Sequence, residues 1–426
     1  MFARVAKARA VYPTSATPSS SNYTPVQYAK QIGTAHNGVV SNADTPSINR
    51  VLEVLPITTT PTNAFNGSQS SVEFVLPPDM GKYYDGVVQF EMNINDASGS
   101  VSLTPTFAWL QRLEVYLGGE VIESVEWDEL LEQSYFWLTD QERQTIASKV
   151  NINPTTGGYA SATTNGSSKR FYLPLWANVL QTAQPWVKGF GQQNLRVKLW
   201  FQPSIRVDNG TTGVTISTCK LYATEATLSA GEEARLESAH KTGMCYRTII
   251  RNKFIYPASS LSYNTSQQAQ MTSLNNPTAG IEVYIKPNTN DNAYVFAKWA
   301  ADQIQLRDSN NADLTVLQAG DLYVNFQNQW QTPRSPVGCA QPNMYIFSFC
   351  QNLTSVVETG ERLGAYQLTG NERVVVYPSS TATITTASGQ VSPPQGGLTN
   401  VQIVAVSFEY AKIEVHNNVG KRSFGL

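Results

Sequence analysis

Apolar and polar residues alternate along most of the chain from Asn49 onward. Stretches such as 71–76 (SVEFVL) and 195–201 (LRVKLWF) place apolar side chains at every second position. This period of two is typical of β-strands with one buried face. The best hairpin spans 107–125, where Gly118-Gly119 offers the residues that a tight two-residue turn needs. The pattern therefore predicts an all-β chain.

One stretch of the first half has a helical period instead. Its apolar stripe comprises Trp127, Leu130, Leu131, Tyr135 and Leu138. Thr139 and Glu142 resemble a capping box that starts a second short helix. Glu129 and Glu132 share the opposite face of the first helix, either as a functional carboxylate pair or as its solvated side. We favour the solvated side.

The second half repeats the plan of the first. Residues 296–306 resemble 107–115, and the closing strand 404–415 resembles 218–228, both at an offset of roughly 190 residues. Each half holds about eight short strands, which indicates an antiparallel sandwich of the jelly-roll type. Immunoglobulin-like sandwiches are the main alternative, but those units are nearer to about 100 residues.

The predicted fold class is therefore all-β, with two tandem eight-stranded jelly rolls and a few short helices. The predicted divisions are an N-terminal arm at 1–46, jelly roll 1 at 47–230, a linker at 231–242, jelly roll 2 at 243–418 and a C-terminal tail at 419–426.

Composition narrows the functional classes. Charged residues make up 15% of the 426 residues, against a usual value of about 25%, and 41% are hydrophobic. A charge-poor surface suits a protein that packs against neighbours. The net charge of −2 argues against sequence-specific nucleic-acid binding. The N-terminal arm differs in charge from the rest of the chain, because Arg4, Lys7 and Arg9 precede any acidic residue. The arm is either a frayed terminus or a segment that orders against a partner or an anionic surface.

The sequence offers little catalytic chemistry. The three histidines are His36, His240 and His416. None neighbours a candidate nucleophile, and we expect His36 and His240 to lie outside the cores, in the arm and the linker. The four cysteines, Cys219, Cys245, Cys339 and Cys350, lack metal-ligand spacing, so we interpret them as free buried thiols. We therefore predict no catalytic residues, no cofactor and no metal site, and that the protein is not an enzyme. No apolar run approaches the roughly 18 residues of a membrane-spanning helix, and we expect a protein made in the cytoplasm.

Aromatic side chains concentrate in the first half, above all in 170–201. Exposed tryptophans could form a platform on which sugars stack. The alternative, which we favour, is sandwich core or subunit packing. The residues predicted to serve that packing are Trp109, Tyr172, Leu175, Trp176 and Trp186.

Three segments in this order resemble the double jelly-roll major capsid proteins of tectivirus-type and related icosahedral viruses. They are the strand–hairpin–helix unit at 107–136, the pair of strands within 172–201, and the opening of the second jelly roll at 254–274. The likeness spans most of residues 48–416. The sequence departs from this likeness at the helix pair within 126–149, which has no clear counterpart in the second half of the chain.

The resemblance implies a structural protein of the virion that is assembled in the host cytoplasm. Three chains would form a pseudo-hexagonal trimer, since two jelly rolls per chain give six sandwiches, and trimers would tile the icosahedral shell. Partners would be further copies of the chain, minor capsid or vertex proteins, and an internal lipid membrane that the arm could touch. Loops at 151–168 and 379–398 would face outward or contact neighbours. The alternative function is a tandem jelly-roll carbohydrate-binding protein.

Overall fold

The structure is a computed structural model. It describes residues 49–58, 60, 65, 70–94, 100–137, 140–147, 149–151, 162–164, 168–202, 214–263, 265–289, 297–324, 343–386 and 389–425. The arm with Arg4, Lys7 and Arg9, most of the predicted loop at 151–168 and Cys339 lie outside these residues.

The first half of the described chain forms a β-sandwich. Its strands are β1 (Asn49–Val54), β2 (Ser71–Val75), β3 (Lys82–Ile94), β4 (Ser100–Ser102), β5 (Leu110–Leu117), β6 (Glu120–Glu126), β7 (Ala162–Thr164), β8 (Ser168–Pro174), β9 (Leu195–Phe201) and β10 (Val214–Ala226). One sheet has the order β1-β10-β3-β8 and the other β2-β9-β5-β6, while β4 and β7 pair separately. The pairs are antiparallel, and the predicted turn at Gly118-Gly119 is confirmed between Leu117 and Glu120.

The second half forms a second sandwich. Its strands are β11 (Met244–Leu261), β12 (Gln267–Gln270), β13 (Pro277–Pro287), β14 (Ala301–Arg307), β15 (Gln318–Ala319), β16 (Met344–Ser348), β17 (Tyr366–Gln367), β18 (Arg373–Pro378), β19 (Ile384–Thr386), β20 (Gly389–Val391), β21 (Leu398–His416) and β22 (Val419–Phe424). The sheets have the orders β11-β21-β13-β16 and β12-β18-β14-β15. Off these paths, β17 pairs with β13, β22 pairs with β21, and β19 pairs with β20.

The two sandwiches have the same topology. When β1 is matched to β11, β2 to β12, β3 to β13, β5 to β14 and so on to β10 and β21, the strand orders of both sheets coincide. Each unit thus contains two sheets with the same four-strand order, to which the second unit adds β17 and β22. The predicted duplication and the two eight-stranded jelly rolls are confirmed.

Short helices occupy the connections between strands. They are α1 (Trp127–Trp137), α2 (Asp140–Ala147), α3 (Asn178–Gln181), α4 (Ala230–Thr242), α5 (Gly320–Leu322) and α6 (Leu353–Thr359), with 3-10 turns at Thr106–Trp109 and Val187–Phe190. The helix α3 follows β8 as α6 follows the equivalent β16. The helix α1 follows β6, and the short α5 is its positional counterpart after β15.

The segment predicted as a linker is a well-capped helix. The Ser229 hydroxyl accepts the N–H of Glu232, and the Glu232 carboxylate accepts the N–H of Ser229, which completes a capping box at the start of α4. Glu232 and Glu233 lie in the first turn, where they complement the positive end of the helix dipole. The connection between the rolls is therefore an ordered structural element.

One sheet of the second roll is buried on both faces. Along β13 the eight consecutive residues from Thr278 to Ile285 are buried, although a sheet with one solvated face would alternate. One face, with Ile281 and Val283, packs into the core of the second roll. The other face belongs to a core that is continuous with the first roll and includes Ala279. The two rolls thus share apolar packing.

The residues predicted as a C-terminal tail form a strand instead. β22 pairs with the end of β21 through a two-residue turn at Asn417-Asn418, whose φ angles of 52° and 62° match a type I′ hairpin. Beyond Glu409, β21 has left its ladder with β13, and β22 occupies the open edge. The Gly420 N–H also donates to the Gln193 side chain at 2.6 Å, so this strand ties the second roll to the first.

The close approach of β22 to the first roll can be tested at Gly420. A Cβ atom there would lie 2.5 Å from Leu117 Cδ2 and 2.9 Å from Phe190 Cε1. We expect Gly420→Ala to lower the free energy of unfolding by about 1–3 kcal/mol, because overpacking forces buried neighbours apart. Chemical denaturation measures this loss of stability. The control is Gly119→Ala, where nothing lies within 4 Å of the new Cβ. Equal stability of the two variants would contradict the close packing.

Candidate functional site at the junction of the two jelly rolls

The helix α1 of the first roll lies against the sheet of the second roll. The expectation that Glu129 and Glu132 form its solvated face is wrong, since their exposed fractions are 2% and 0%. The polar face of α1 is buried because the second roll presents cations to it. The side chains of Arg251 and Lys253 on β11 and Lys286 on β13 contact residues of α1. The junction therefore contains charged groups within a largely apolar interface.

Arg251 is the centre of the first group of charges. Its Nη2 atom lies 2.8 Å from Glu282 Oε2 and 3.2 Å from Glu132 Oε2, and all three side chains are almost fully buried. Its Nη1 atom donates to the carbonyl oxygen of Glu129. Lys298 Nζ lies 2.6 Å from the other oxygen of Glu132. One guanidinium thus connects α1 to two strands of the second roll.

Asp128 is the centre of the second group. Its two oxygens lie 2.8 Å from Lys253 Nζ and 2.6 Å from Lys286 Nζ, and Tyr284 donates to it at 3.2 Å. Burial acts to raise the pKa of Asp128, but the two ammonium groups outweigh it, so that the pKa lies well below its usual value. The same contact raises the pKa of Lys253 against its own burial. Both groups are therefore held ionised.

The period of two along the strands explains why these charges converge. Glu282, Tyr284 and Lys286 alternate along β13, and Arg251 and Lys253 alternate along β11, so each set shares one face of its strand. That face is the one covered by α1. The interleaved residues Ile281 and Val283 face the core of the second roll.

A buried carboxylate also anchors α3 at the junction. Glu123 on β6 accepts the backbone N–H of Asn178 at 2.9 Å and that of Val179 at 2.7 Å. These N–H groups belong to the first turn of α3 and have no partner within the helix. Glu123 therefore fixes the start of the helix that packs against β11.

His240 provides a third contact between the rolls. Although the sequence places it in a linker outside the cores, it is fully buried between Trp186 and Phe190. Its Nδ1 lies 2.7 Å from the Gly189 carbonyl oxygen and its Nε2 lies 2.7 Å from the Tyr246 hydroxyl. Burial lowers the pKa of His240, so the neutral ring is favoured, with Nδ1 donating to the carbonyl.

The structure distributes the five residues predicted for packing over three places: the core of the first roll, an edge strand and the junction of the rolls. Trp109, Leu175 and Trp176 are buried in the core of the first roll, where Trp176 stacks on Phe107 at 5.5 Å between ring centroids. Tyr172 is half-buried on β8, a strand at the edge of its sheet.

Trp186 is the residue of that set that lies at the junction. It is buried, and its backbone N–H donates to the Tyr246 hydroxyl on β11 at 3.2 Å. Its ring meets His240 edge to face, at 5.1 Å between centroids. Trp186, predicted for sandwich core or subunit packing, thus lies at the contact between the two rolls of one chain.

The tryptophans offer no open platform within the described side chains. Trp200 is half-buried, with the Arg112 guanidinium 4.8 Å and the Lys198 ammonium 4.0 Å from its ring centroid. Its Nε1–H donates to Glu114, which is also bound to Arg112. Trp127, the other half-buried tryptophan, lies 5.6 Å from Lys286 Nζ. These rings are engaged by cations of the same chain.

The described residues contain no group of three histidine, cysteine or carboxylate side chains suited to a metal ion. Their helices also include none long and apolar enough to cross a membrane. The cysteine prediction needs one correction: Cys219 is buried and Cys350 is partly buried, but Cys245 is exposed. Cys245 lies near the start of β11, where its side chain points away from the core.

The Arg251 group makes a measurable prediction. We expect Arg251→Met to lower the free energy of unfolding by about 3–5 kcal/mol, because two buried carboxylates lose their partner. The control Arg170→Met removes an exposed ion pair of 3.7 Å with Glu91 and should change stability by no more than about 0.5 kcal/mol. Denaturant titration of both variants measures the two changes in the free energy of unfolding. Similar losses in the two variants would rule out a structural role for the buried group.

Solved structures with the same architecture come from viral capsids, although no protein-family model and no curated protein matches the sequence. A chain of the quasi-atomic model of the PBCV-1 virus capsid superposes with a TM-score of 0.69 at 13% identity, covering 91% of this chain and 99% of that chain. The Faustovirus major capsid protein gives a TM-score of 0.56 at 9% identity, with coverages of 89% and 92%. A chain of the Sputnik virophage structure gives 0.55 at 10% identity, with coverages of 88% and 89%. This protein therefore has the double jelly-roll fold found in viral major capsid proteins.

Proposed function

We propose that the protein is a major capsid protein that builds an icosahedral viral shell and is located in the virion. The observation that carries this proposal is the pair of topologically identical jelly rolls, joined by a buried interface and shared with capsid chains over nearly their whole length. Fold alone does not fix function. The role is structural rather than enzymatic, which agrees with a charge-poor composition that suits extensive contacts between copies.

The assembly unit we propose is a homotrimer with a pseudo-hexagonal outline. Three chains supply six rolls, here assigned to residues 47–230 and 243–418 with 231–242 between them. A closed ring of three needs a heterologous contact, in which two different patches meet. Each roll exposes apolar side chains of its own: Val51, Leu55 and Ile57 on the first, and Val316, Leu317 and Leu322 on the second. Two separate patches suit a head-to-tail contact.

Further partners complete the proposal. Trimers would contact neighbouring trimers and minor capsid or vertex proteins, with assembly in the host cytoplasm. Arg4, Lys7 and Arg9 would bring the arm to a neighbouring capsomer or to an anionic membrane under the shell. Tyr172, half-buried on an edge strand, is available for packing between subunits. The carbohydrate-binding alternative lacks support, because Trp127 and Trp200, the half-buried tryptophans among the described side chains, contact cations of the chain itself.

The trimer is tested by the mass in solution. We expect size exclusion with light scattering to give about 140 kDa, three times the 46.8 kDa of one chain. Ile57→Glu and Val316→Glu should each yield monomers with unchanged unfolding midpoints, because a charge is placed in an apolar contact. A monomeric wild-type protein would contradict the proposed trimer. Binding of that monomer to glycans would favour the carbohydrate-binding function.

The arm is tested separately with vesicles. Replacing Arg4, Lys7 and Arg9 by glutamine should abolish sedimentation of the trimer with vesicles that contain anionic lipid, and should leave its mass unchanged. Uncharged vesicles are the control. Equal sedimentation of wild type and variant would argue against membrane contact, and particle assembly after deletion of residues 1–13 would then test the contact with a neighbouring capsomer.

A further inference from the structure

Among the residues that the structure describes, the junction of the rolls contains more buried carboxyl groups than cations. The carboxyl groups are those of Glu123, Asp128, Glu129, Glu132 and Glu282, and the cations are Arg251, Lys253, Lys286 and Lys298. Five carboxylates would face four positive charges. Glu126 pairs with Lys253 at the rim of the junction, where it is half-buried and 44% of its side chain is exposed to water.

Four of the five carboxyl groups have partners that stabilise a negative charge. Asp128 contacts two lysines, and Glu132 contacts Arg251 and Lys298. Glu282 contacts Arg251 at 2.8 Å. Glu123 accepts two backbone N–H groups at the start of α3.

Glu129 differs from the other four. Its Oε2 accepts the N–H of Glu126 at 2.8 Å, whereas its Oε1 has no hydrogen-bond partner among the described residues. Oε1 of Glu282 also lacks such a partner, but the other oxygen of Glu282 lies 2.8 Å from Arg251. The described part of the chain also places no cation within ion-pair distance of its carboxyl group. Its neighbour in the chain is the ionised Asp128, whose Oδ1 accepts the Glu129 N–H at 3.1 Å. A buried carboxylate without a cation is costly, and the neutral acid removes that cost.

We infer that Glu129 is held as a neutral carboxylic acid, so that the junction of the two rolls binds one proton and releases it to solvent as the pH rises. With Glu129 neutral, four carboxylates balance four cations. Release leaves an extra negative charge buried between the rolls and weakens their contact. This inference does not depend on the proposed capsid function.

The electrostatic surroundings agree with the geometry. Burial raises the pKa of Glu129 to about 7, against the opposing effect of Lys253 and Arg251, and Asp128 and Glu126 raise it further. Burial also raises the pKa of Glu123 and of Glu282, each to about 8, so these two groups compete with Glu129 for the proton. The geometry assigns the proton to Glu129, because Glu282 contacts Arg251 and Glu123 accepts two backbone N–H groups. A proton on Glu129 reduces the excess negative charge around both, and so favours their ionised forms.

The sign of the pH effect follows from the raised pKa. The unfolded value is near 4.5, so the stabilisation from the protonated group is complete below that pH and is lost as the pH rises through about 7. Over this window the unfolding equilibrium constant should increase by up to about tenfold per pH unit from this group alone.

The decisive variant is Glu129→Gln, which imitates the neutral acid in shape. We expect it to fold and to lose this pH dependence between pH 5 and 7 when its denaturant unfolding is compared with that of wild type. The matched control on the same helix, Glu132→Gln, should be less stable at every pH and should keep the wild-type slope. An unchanged slope in Glu129→Gln would overturn the inference.

Infrared spectroscopy gives a second readout on the folded protein. Wild type at pH 6 should show the carbonyl band of a buried protonated carboxyl group, and this band should fade as the pH rises through about 7. Glu129→Gln should lack this band, while Glu282→Gln should retain it. If Glu129→Gln does not fold, the titration of wild type and the spectrum of Glu282→Gln test the assignment instead. Absence of the band in wild type, or its loss in Glu282→Gln, would overturn the assignment to Glu129.

Discussion

The burial of one sheet on both faces is the constraint on which the rest of the structure depends. The sheet β11-β21-β13-β16 serves as one wall of the second sandwich and also as the surface that receives the first roll. A doubly covered sheet must satisfy every polar side chain on both faces. Arg251 and Lys253 satisfy this condition with carboxylates of α1, together with Glu282 on β13 and Glu126 at the end of β6. The two rolls are therefore complementary in charge as well as in shape.

Ion pairs of this kind position the rolls more than they stabilise them. Removing Arg251, Glu132 and Glu282 from water costs free energy that their attraction only partly returns. An apolar interface of the same area would allow the rolls to slide, whereas a guanidinium between two fixed carboxylates admits few arrangements. The capped helix α4 and the hairpin at Asn417-Asn418 restrict the same motion from the ends of the second roll.

The sequence predicted what depends on local periodicity and on turn residues. Alternating residues such as those of 195–201 marked the strands, and Gly118-Gly119 marked its turn, because both signals arise within a few residues. The duplication could be seen in the sequence, because two units with the same strand order have their apolar and polar patterns in the same order. The strand β22 was missed, since Val419–Phe424 lacks clear alternation and depends on the open edge of β21.

The charged junction could not be predicted in the same way. The helical period correctly separated Leu130 from Glu129 and Glu132, but a polar face looks the same whether water or another domain covers it. The cations that cover it lie more than 100 residues away, with Arg251 119 positions from Glu132. One signal was present: Arg251-x-Lys253 and Glu282-x-x-x-Lys286 place charges at alternate positions of strands that otherwise read as core. Charged side chains on a buried face of a strand cost free energy unless they are paired. Charges at alternate positions of such a strand therefore indicate that its second face is buried too.

The junction also makes the two rolls unequal, although their topology is the same. The first roll contributes helix α1 of 11 residues after β6, while among the described residues the equivalent position after β15 holds the short α5. The interface within the chain therefore uses the helix of one roll and the sheet of the other, and it cannot be repeated with the roles exchanged. In a ring built from such chains, contacts within and between subunits must differ in chemistry. A buried, charged interface suits the permanent contact within the chain, and exposed apolar side chains such as Ile57 and Val316 suit the contact between copies in the proposed assembly.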